Sequence, residues 1–379
     1  MPTETAKESG SPAALSEPYR AGETMCTRIR AKAPLRLSFA GGGTDVSPFI
    51  EREGGCVLSA TITRYSWGTL TPREDSQIHI ESADLGALFY FDTRSNLVYD
   101  GKMDLAKAAI RNLSVQDTRG FDLFLKTDAP PGSGLGSSSS LMVNMIGLLR
   151  EFKSLPLTDY ETAELAYQIE RNQLGIHGGM QDQYAATFGG FNFIEFHANH
   201  VIVNPLRINR DVANELEHNL LLCYTGKPRT TDGIIQDQVG RYEQQEEAAI
   251  EGLRKQKMLA VEMKNALLQR RLDDFGALLD EAWRYKKQMS PKISNPHIDE
   301  MYEEALRHGA LGGKITGAGG GGYLLLYCTY EKKHKVAEAM RRLGGIPTEF
   351  SFEFHGLQTW RIQQNGHNNN GRHKHGAHA

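Results

Sequence analysis

The sequence predicts an α+β protein in two lobes, an N-terminal lobe over residues 25–203 and a C-terminal lobe over 204–362. Three observations carry this expectation. The chain has 379 residues, more than the ~100–200 that one core usually organises. Segments rich in β-branched residues open it, and amphipathic helices and strands then mix to its end. Its residues are 40% hydrophobic and 23% charged, the proportions of a globular protein rather than a disordered one.

The elements follow in order. Residues 1–24, rich in Ser, Pro, Glu, Ala and Thr without an apolar period, read as a disordered leader. RIRAKAPLRLSFA (28–40) reads as a strand ending on Gly41, Gly42 and Gly43, and GCVLSATITRYSWGTLTP (55–72) as one or two more. SSSSLMVNMIGLLREFKS (137–154) places Leu141, Met145, Leu148 and Leu149 at helical spacing behind serines able to cap a helix. In TDYETAELAYQIERNQLG (158–175), Thr158 and Glu161 make a capping-box pattern ahead of Ala163, Leu165, Ala166 and Ile169, which predicts a second helix reaching Gly175. The stretch 236–287 has few glycines, no proline and a helical period throughout, while KKHKVAEAMRRLGG (332–345) reads as a helix and TEFSFEFHGLQTWRI (348–362) as a strand. Residues 363–379 form a polar, low-complexity tail; His367, His373, His375 and His378 could hold a metal adventitiously, but a flexible tail is the better reading.

Charge and cysteine usage narrow the function. A net charge of −3 from 43 basic and 46 acidic residues gives no field that would gather nucleic acid or an anionic membrane, so an anionic substrate must be captured by local cations. Cys26, Cys56, Cys223 and Cys328 lie far apart, without a CxxC pair or zinc-finger spacing, and read as reduced thiols of a cytoplasmic protein. No window approaches the ~20 apolar residues of a membrane span, and the first residues lack the basic-then-apolar order of a signal peptide. The sequence leaves the oligomeric state open, a homodimer included.

The 39 glycines are clustered, and the clusters mark where function should be sought. No Walker A loop is present, because the Gly-Lys pairs at Gly101, Gly226 and Gly313 continue with Met, Pro and Ile. Residues 317–322 satisfy GxGxxG but lead into YLLLYCTY, a strand rather than the helix a dinucleotide fingerprint opens. The strongest signal is PPGSGLGSSSS (130–140). Its glycines let the backbone approach a ligand, and the helix behind it aims unpaired N–H groups and a positive dipole end at the same place, an arrangement suited to a polyphosphate. Its hydroxyls suit a phosphate oxygen or Mg²⁺; the alternative is a Gly/Ser turn with a serine cap. Glu170 and Asp182 follow shortly. Each alone reads as a surface acid, whereas together with the loop they supply the parts of a phosphoryl-transfer site.

APLRLSFAGGGTD (33–45), PPGSGLGSSSS (130–140) and KITGAGGGGYLLL (314–326) together resemble, in order and spacing, the three motifs of the GHMP kinases, the superfamily of galactokinase, homoserine kinase and mevalonate kinase; the resemblance spans about 28–361. FAGGGTD, where galactokinases carry a Gly-Glu-His-Thr-Asp type of sequence, GGMQDQYAATFGGFN and YTGKPRTT are most similar to the D-glycero-D-manno-heptose 7-phosphate kinases and the related L-fucose kinases. The latter are usually fused to a nucleotidyltransferase domain for which this chain has no room. The resemblance implies an N-terminal lobe like ribosomal S5 domain 2, a ferredoxin-like C-terminal lobe, and an active site between them.

It also implies roles. Pro131, Gly132, Ser133, Gly134, Leu135, Gly136, Ser137, Ser138 and Ser139 would cradle the ATP phosphates, with Ser138 and Glu170 as Mg²⁺ ligands. Asp182 would accept the proton of the substrate hydroxyl, and Arg36 would stabilise charge near the transferring phosphoryl. Lys32 is the other nearby cation, matching the region where mevalonate kinases carry a lysine that approaches the catalytic aspartate. Gly42, Gly43, Thr44, Asp45 and Gly179 would bind the sugar, with Gly319 and Gly320 closing the pocket. The implied reaction passes the γ-phosphoryl of Mg-ATP to the anomeric C1 hydroxyl of D-glycero-D-manno-heptose 7-phosphate, toward nucleotide-activated heptose for surface polysaccharide. Lys227, Arg229 and Arg64 are candidates for the 7-phosphate, each equally readable as a surface cation. The alternatives are a kinase for another sugar and, at greater distance, a non-catalytic sugar or nucleotide sensor.

Overall fold

The computed structural model describes residues 26–84, 86–113, 119–226 and 233–364. The expected leader, the histidines of the tail, and Lys227 and Arg229 lie outside the described residues.

The first half builds one sheet with helices against it. Its strands are β1 (Cys26–Ala40), β2 (Gly55–Pro72), β3 (Gln77–Ser82), β4 (Ala87–Asp92), β5 (Phe121–Thr127), β6 (Phe191–His197) and β7 (His200–Pro205). Its helices are α1 (Phe49–Glu53), α2 (Asp104–Asn112), α3 (Ser137–Lys153), α4 (Asp159–Tyr167), which continues as a π-helical turn Gln168–Gln173, and α5 (Gln181–Phe188). The segment 55–72 is a single strand, paired with β1 from Leu58 to Leu70, with β6 from Gly55 to Ala60 and with β5 from Ser66 to Pro72.

The register between β1 and β2 shifts at Pro34/Leu35, and the two sides of the shift feed different cores. Ile29, Ala31 and Ala33 pack with Met142, Met145 and Leu149 of α3, whereas Leu35, Leu37 and Phe39 join an apolar cluster shared with the second half of the chain. Arg36 thereby comes out on the side of α5.

The second half contains α6 (Arg210–Asn219), β8 (Leu220–Tyr224), α7 (Ile234–Glu243), α8 (Glu247–Leu268), α9 (Leu272–Met289), α10 (Pro296–Arg307), β9 (Ala310–Ile315), β10 (Tyr323–Cys328), α11 (Tyr330–Arg342) and β11 (Ile346–Thr348). Its four strands run antiparallel in the order β11-β8-β10-β9, with helices after β8 and β10. This is the split βαβ connectivity of a ferredoxin-like lobe. Leu222, Leu325 and Tyr327 of that sheet, Phe275 and Leu279 of α9 and the β1 residues Leu35, Leu37 and Phe39 form one continuous core. Each such buried side chain contributes about 1.5–3 kcal/mol of transfer free energy, so the two lobes are joined by apolar burial and not by a tether alone. No helix among the described residues is long and apolar enough to cross a membrane. Cys56, Cys223 and Cys328 are buried free thiols, with burial pushing each up to about 12.

Several expectations need correction. The serines after Gly136 do not cap α3: the N-cap is Gly136 itself, without a side-chain cap, because the serine hydroxyls lie within the first turn and are spent elsewhere. Thr158 and Glu161 do form the capping box. The helical stretch 236–287 is broken into α7, α8 and α9 by tight turns near Gln245 and Arg270, both at positive φ. The segment 348–362 is not one strand. Residues 350–356 cross the sheet end, held by Thr63 N–H to Ser351 O (2.8 Å), Glu353 N–H to Thr61 O (2.9 Å) and the bridge Ile62–Phe352.

Only β12 (Gln358–Gln364) is then regular, and it pairs antiparallel with β1 from Cys26–Gln364 to Lys32–Gln358. The last strand assigned to the C-terminal lobe therefore completes the N-terminal sheet, and it reaches two residues into the expected tail. The physical reason is that β1 would otherwise present an unpaired sheet edge. Ending the chain after His355 should remove these seven register pairs. The expected outcome is a loss of several kcal/mol at about 0.5–1.5 kcal/mol per hydrogen bond, read as a lower urea midpoint or as insolubility. A truncated chain with the full-length midpoint would contradict this role.

Candidate functional site

The loop 130–136 alternates glycines in the left-handed region, with φ of 74° at Gly132, 82° at Gly134 and 75° at Gly136. Successive amides are thereby turned inward ahead of the α3 N-terminus, a concavity suited to anions. Gly134 cannot be replaced without disruption, since a Cβ there would stand 2.4 Å from Thr316 O in the third motif. Ser133 and Leu135 face the protein instead: Ser133 O accepts from Tyr323 N–H (3.1 Å), and the Leu135 side chain lies in the shared core. Only their backbones can serve a ligand.

Arg36 ties this loop to the expected base. Its Nε and Nη2 each stand 2.7 Å from Asp182 Oδ1, its Nη1 donates to Gly134 O (2.6 Å), and its N–H donates to Leu135 O (3.0 Å). The side chain is almost completely buried. Both guanidinium contacts fall on one carboxylate oxygen, and Oδ2 accepts no hydrogen bond among the described residues, so it remains for a substrate proton. Lys32 is not the cation at Asp182, for its Nζ lies 3.7 Å from Glu353 and over the Tyr65 ring. Arg64 is also elsewhere, donating to Asp128 O and Glu349 O.

Ser138 Oγ donates to Glu170 Oε1 (2.8 Å), and Gln183 Nε2 donates to Glu170 Oε2 and to Ser139 Oγ. Glu170 is completely buried inside the π-helical turn, a distortion that occurs mostly at functional positions. No Lys, Arg or His among the described residues forms an ion pair with it. A buried carboxylate without a cation is costly, and this one has a hydroxyl beside it and the phosphate loop above. A hard divalent cation fits that oxygen pair.

Arg36, Gly43, Asp45, Gly134, Gly136, Ser137, Ser138, Ser139, Gly179 and Asp182 line one cavity of about 220 Å³. Asp45 is fixed in its wall: Oδ1 accepts from Gly43 N–H (2.9 Å), and Oδ2 accepts from the backbone N–H and Nε2 of Gln181 (both 3.1 Å). The structure does not bring every expected residue here. The Thr44 hydroxyl is buried behind the cavity, donating to Gly41 O and Cys56 O and accepting from Cys56 N–H. Gly319 and Gly320 pack on Ile293, because the third motif turns there into β10; Gly317 and Ala318 are its cavity residues. Gly42 is buried behind the lining.

Sequence reasoning missed Lys286 and Gln238, which reach the cavity from α9 and α7, and Arg171 beside Glu170. Helical periodicity marks such positions only as part of an amphipathic face. Also missed was an adjoining pocket of about 470 Å³, sharing Gly132, Ser137 and Ser138 with the first and lined by Tyr99, Met103, Leu105, Leu125, Leu141 and Met145; Pro131 lies in its wall. Behind the site, Lys314 Nζ donates to Phe39 O (3.1 Å) from a completely buried position. Burial, then Lys286 and Arg36, hold its amine well below the ordinary lysine range.

Two lobes meeting at a glycine phosphate loop, with a carboxylate and an arginine in one cavity and a hydroxyl at its wall backed by a buried carboxylate, define a phosphotransferase. Comparison with known proteins gives the family: residues 103–190 match the GHMP kinases N terminal domain and residues 263–345 the GHMP kinases C terminal domain. The chain belongs to the GHMP kinases and is a sugar kinase. It is 41% identical over 338 residues to the D-glycero-alpha-D-manno-heptose 7-phosphate kinase of Campylobacter jejuni, covering 88% of this chain and 99% of that one. A crystal structure of a D-glycero-D-manno-heptose 1-phosphate kinase from Bacteroides thetaiotaomicron superposes with a TM-score of 0.75 at 36% identity, over 88% of this chain and 99% of that one. The bifunctional fucokinase/GDP-fucose pyrophosphorylase of Arabidopsis thaliana is 27% identical over 85% of this chain, which spans 32% of that protein.

The Lys314 environment has a consequence for stability. The unfolded chain keeps this lysine protonated up to ~10.4, whereas the folded chain sheds the proton at lower pH. The unfolded state therefore binds more protons in that window, and stability rises with pH through it. Between pH 7 and 10 the urea midpoint of the wild type should climb more steeply than that of Lys314→Met; parallel lines would contradict a neutral buried amine.

Proposed function

We propose that this GHMP kinase transfers the γ-phosphoryl of Mg-ATP to the anomeric C1 hydroxyl of D-glycero-D-manno-heptose 7-phosphate, giving the 1,7-bisphosphate and ADP in the cytoplasm. The observation that carries the reaction type is the Arg36–Asp182 pair held to the phosphate loop, with Oδ2 of Asp182 open toward the cavity. The substrate follows from the 41% identity to the Campylobacter heptose 7-phosphate kinase over nearly its whole length. The Bacteroides neighbour is described as a heptose 1-phosphate kinase, and transfer to C1 of a 7-phosphate is the reading that fits a phosphate at that carbon.

In this reading the adenine takes the apolar pocket around Tyr99, Leu141 and Met145, and the phosphates lie along the amides of 132–137. Ser138 and Glu170 would hold Mg²⁺, which neutralises phosphate charge when bound. The sugar lies against Asp45, Gln181 and Gln238 with its C1 hydroxyl at Asp182. As the C1 oxygen bonds to the γ-phosphorus, the bond from that phosphorus to the β,γ-bridging oxygen breaks, the hydroxyl proton passes to Asp182, and ADP carries away the electron pair. An anomeric hydroxyl is more acidic than an ordinary alcohol, and phosphoryl transfer is chiefly positioning and charge stabilisation, so one carboxylate base suffices.

Measuring ATP consumption over phosphorylated and free heptoses and hexoses, with ³¹P NMR of the product, tests the substrate; preference for a neutral sugar such as L-fucose would overturn it. Asp182→Asn should lower kcat about 10²–10⁴-fold with ATP binding retained. A variant keeping a tenth of the wild-type rate would remove Asp182 from the role of base. Ser138→Ala and Glu170→Gln should each shift the Mg²⁺ titration of activity to higher concentration and lower kcat, since each deletes one of few protein ligands. Superimposable titrations in both would place the cation elsewhere.

A further inference from the structure

Arg171 follows Glu170 in the π-helical turn, and the two side chains are put to different uses. Glu170 accepts from Ser138 Oγ, whereas the Arg171 guanidinium lies against the loop that leads from Gly175 to α5. Its Nη1 donates to Ile176 O (3.2 Å) and its Nε to Gly179 O (3.3 Å). Ile176 N–H in turn donates to Glu170 O (2.9 Å), which ties the loop back onto the turn. Between the two carbonyls, Gly178 has a φ outside the left-handed region, so its backbone does not demand glycine. A Cβ there would stand 2.5 Å from Arg171 Cζ: the guanidinium occupies the place of a side chain.

Arg171 is half-buried and lines the cavity that holds Asp45 and Asp182, but not the adjoining apolar pocket. The other arginine in that wall, Arg36, is committed to Asp182 and Gly134 O. Arg171 makes no ion pair among the described residues. Gly179 touches both Arg171 and Asp45, since its carbonyl takes the Arg171 Nε and a Cβ on it would stand 1.9 Å from Asp45 Oδ2. Asp45 meanwhile spends its carboxylate on Gly43 and Gln181. A guanidinium has five N–H donors, of which the two carbonyls take two, so Nη2 and one hydrogen of Nη1 remain for a ligand. Carbonyls orient such a group without neutralising it, whereas a phosphate matches both its charge and its fork.

We infer that Arg171 is the receptor for the phosphate of the acceptor sugar, aimed by Ile176 O and Gly179 O, with Gly178 kept side-chain-free so that the guanidinium can lie against the loop. The inference rests on the reading of the chain as a sugar-phosphate kinase. It divides the cavity wall by chemistry: Asp45 and Gln181 meet the sugar's hydroxyls, and Arg171 meets its charge. The phosphates of ATP, on the other side, already have the amides of the glycine loop.

The test measures kcat and KM on D-glycero-D-manno-heptose 7-phosphate and on the same heptose without its phosphate, together with KM for ATP, in wild type, Arg171→Gln and Gly178→Ala. Wild type should prefer the phosphorylated sugar. Arg171→Gln should raise KM for it about tenfold or more, the scale of one charged hydrogen bond, with kcat and the KM for ATP within about threefold. The preference ratio in kcat/KM should fall by the same factor. Gly178→Ala keeps the arginine but displaces its guanidinium, at small cost to the fold because the group it meets ends a flexible side chain, and should lower the ratio about threefold or more. Should Arg171→Gln fail to fold, the Gly178→Ala ratio decides alone. A ratio unchanged in the folded variants, or an equal loss on both sugars, would make Arg171 a brace for the loop and overturn the assignment while leaving the kinase reading intact. A rise confined to the KM for ATP would overturn it too, by moving the arginine to the donor side. A wild type indifferent to the phosphate would overturn the substrate reading itself.

Discussion

The Arg36 guanidinium is the contact on which the rest of the site depends. It belongs to β1, yet its donors reach the carbonyl of Gly134 in the phosphate loop and the carboxylate of Asp182 on α5. Three segments far apart in sequence are thus held to one planar group. A planar fork fixes angle as well as distance, which a lysine at the same place could not do. Removing one member of so buried a pair typically costs 3–5 kcal/mol, because the other charge is then stranded. The same geometry that stabilises the fold places the open oxygen of Asp182 at a set distance from the loop.

Around this pair the two lobes interlock through backbone rather than through long side chains. Gly134 meets Thr316 and Gly317, and Gly322 meets Ser133, so closely that neither side has room for a methyl group. The third motif is in this sense a mould for the second. Its glycines look like a nucleotide fingerprint in sequence, but their use is to let β9, β10 and the phosphate loop share one surface. Behind them Lys314 ties β9 to the Phe39 carbonyl near the end of β1, which carries the first motif.

The parts of this architecture legible in the sequence are those written locally. The β1 and β2 strands, the α3 period and the Thr158 cap each depend on residues within a few positions of one another. Ser138, Asp182 and Arg36, singled out in the sequence, line one cavity, and Glu170 lies buried behind it, accepting from Ser138 Oγ. What sequence could not show was long-range. The hydroxyl of Thr44 sits in the motif beside Asp45, but it turns inward because Cys56 on β2 offers it backbone partners. Lys286 carries no local mark that separates it from Lys287, which pairs with Asp299 on the outside of the same helix. The strand read as the end of the second lobe belongs to the first, because only the folded sheet reveals that β1 lacks a neighbour.

That last pairing also bears on how the chain could be rearranged. Cys26 and Gln364 are register partners across an antiparallel ladder, where facing Cα atoms lie about 4.5–5.5 Å apart. The two ends of the described chain therefore sit side by side on one sheet edge, as the two arms of a hairpin do. A covalent link between them would need no more than a short turn, so the backbone is topologically close to a ring. New ends could then be opened at an exposed connection elsewhere without changing any contact of the phosphate loop or of Arg36.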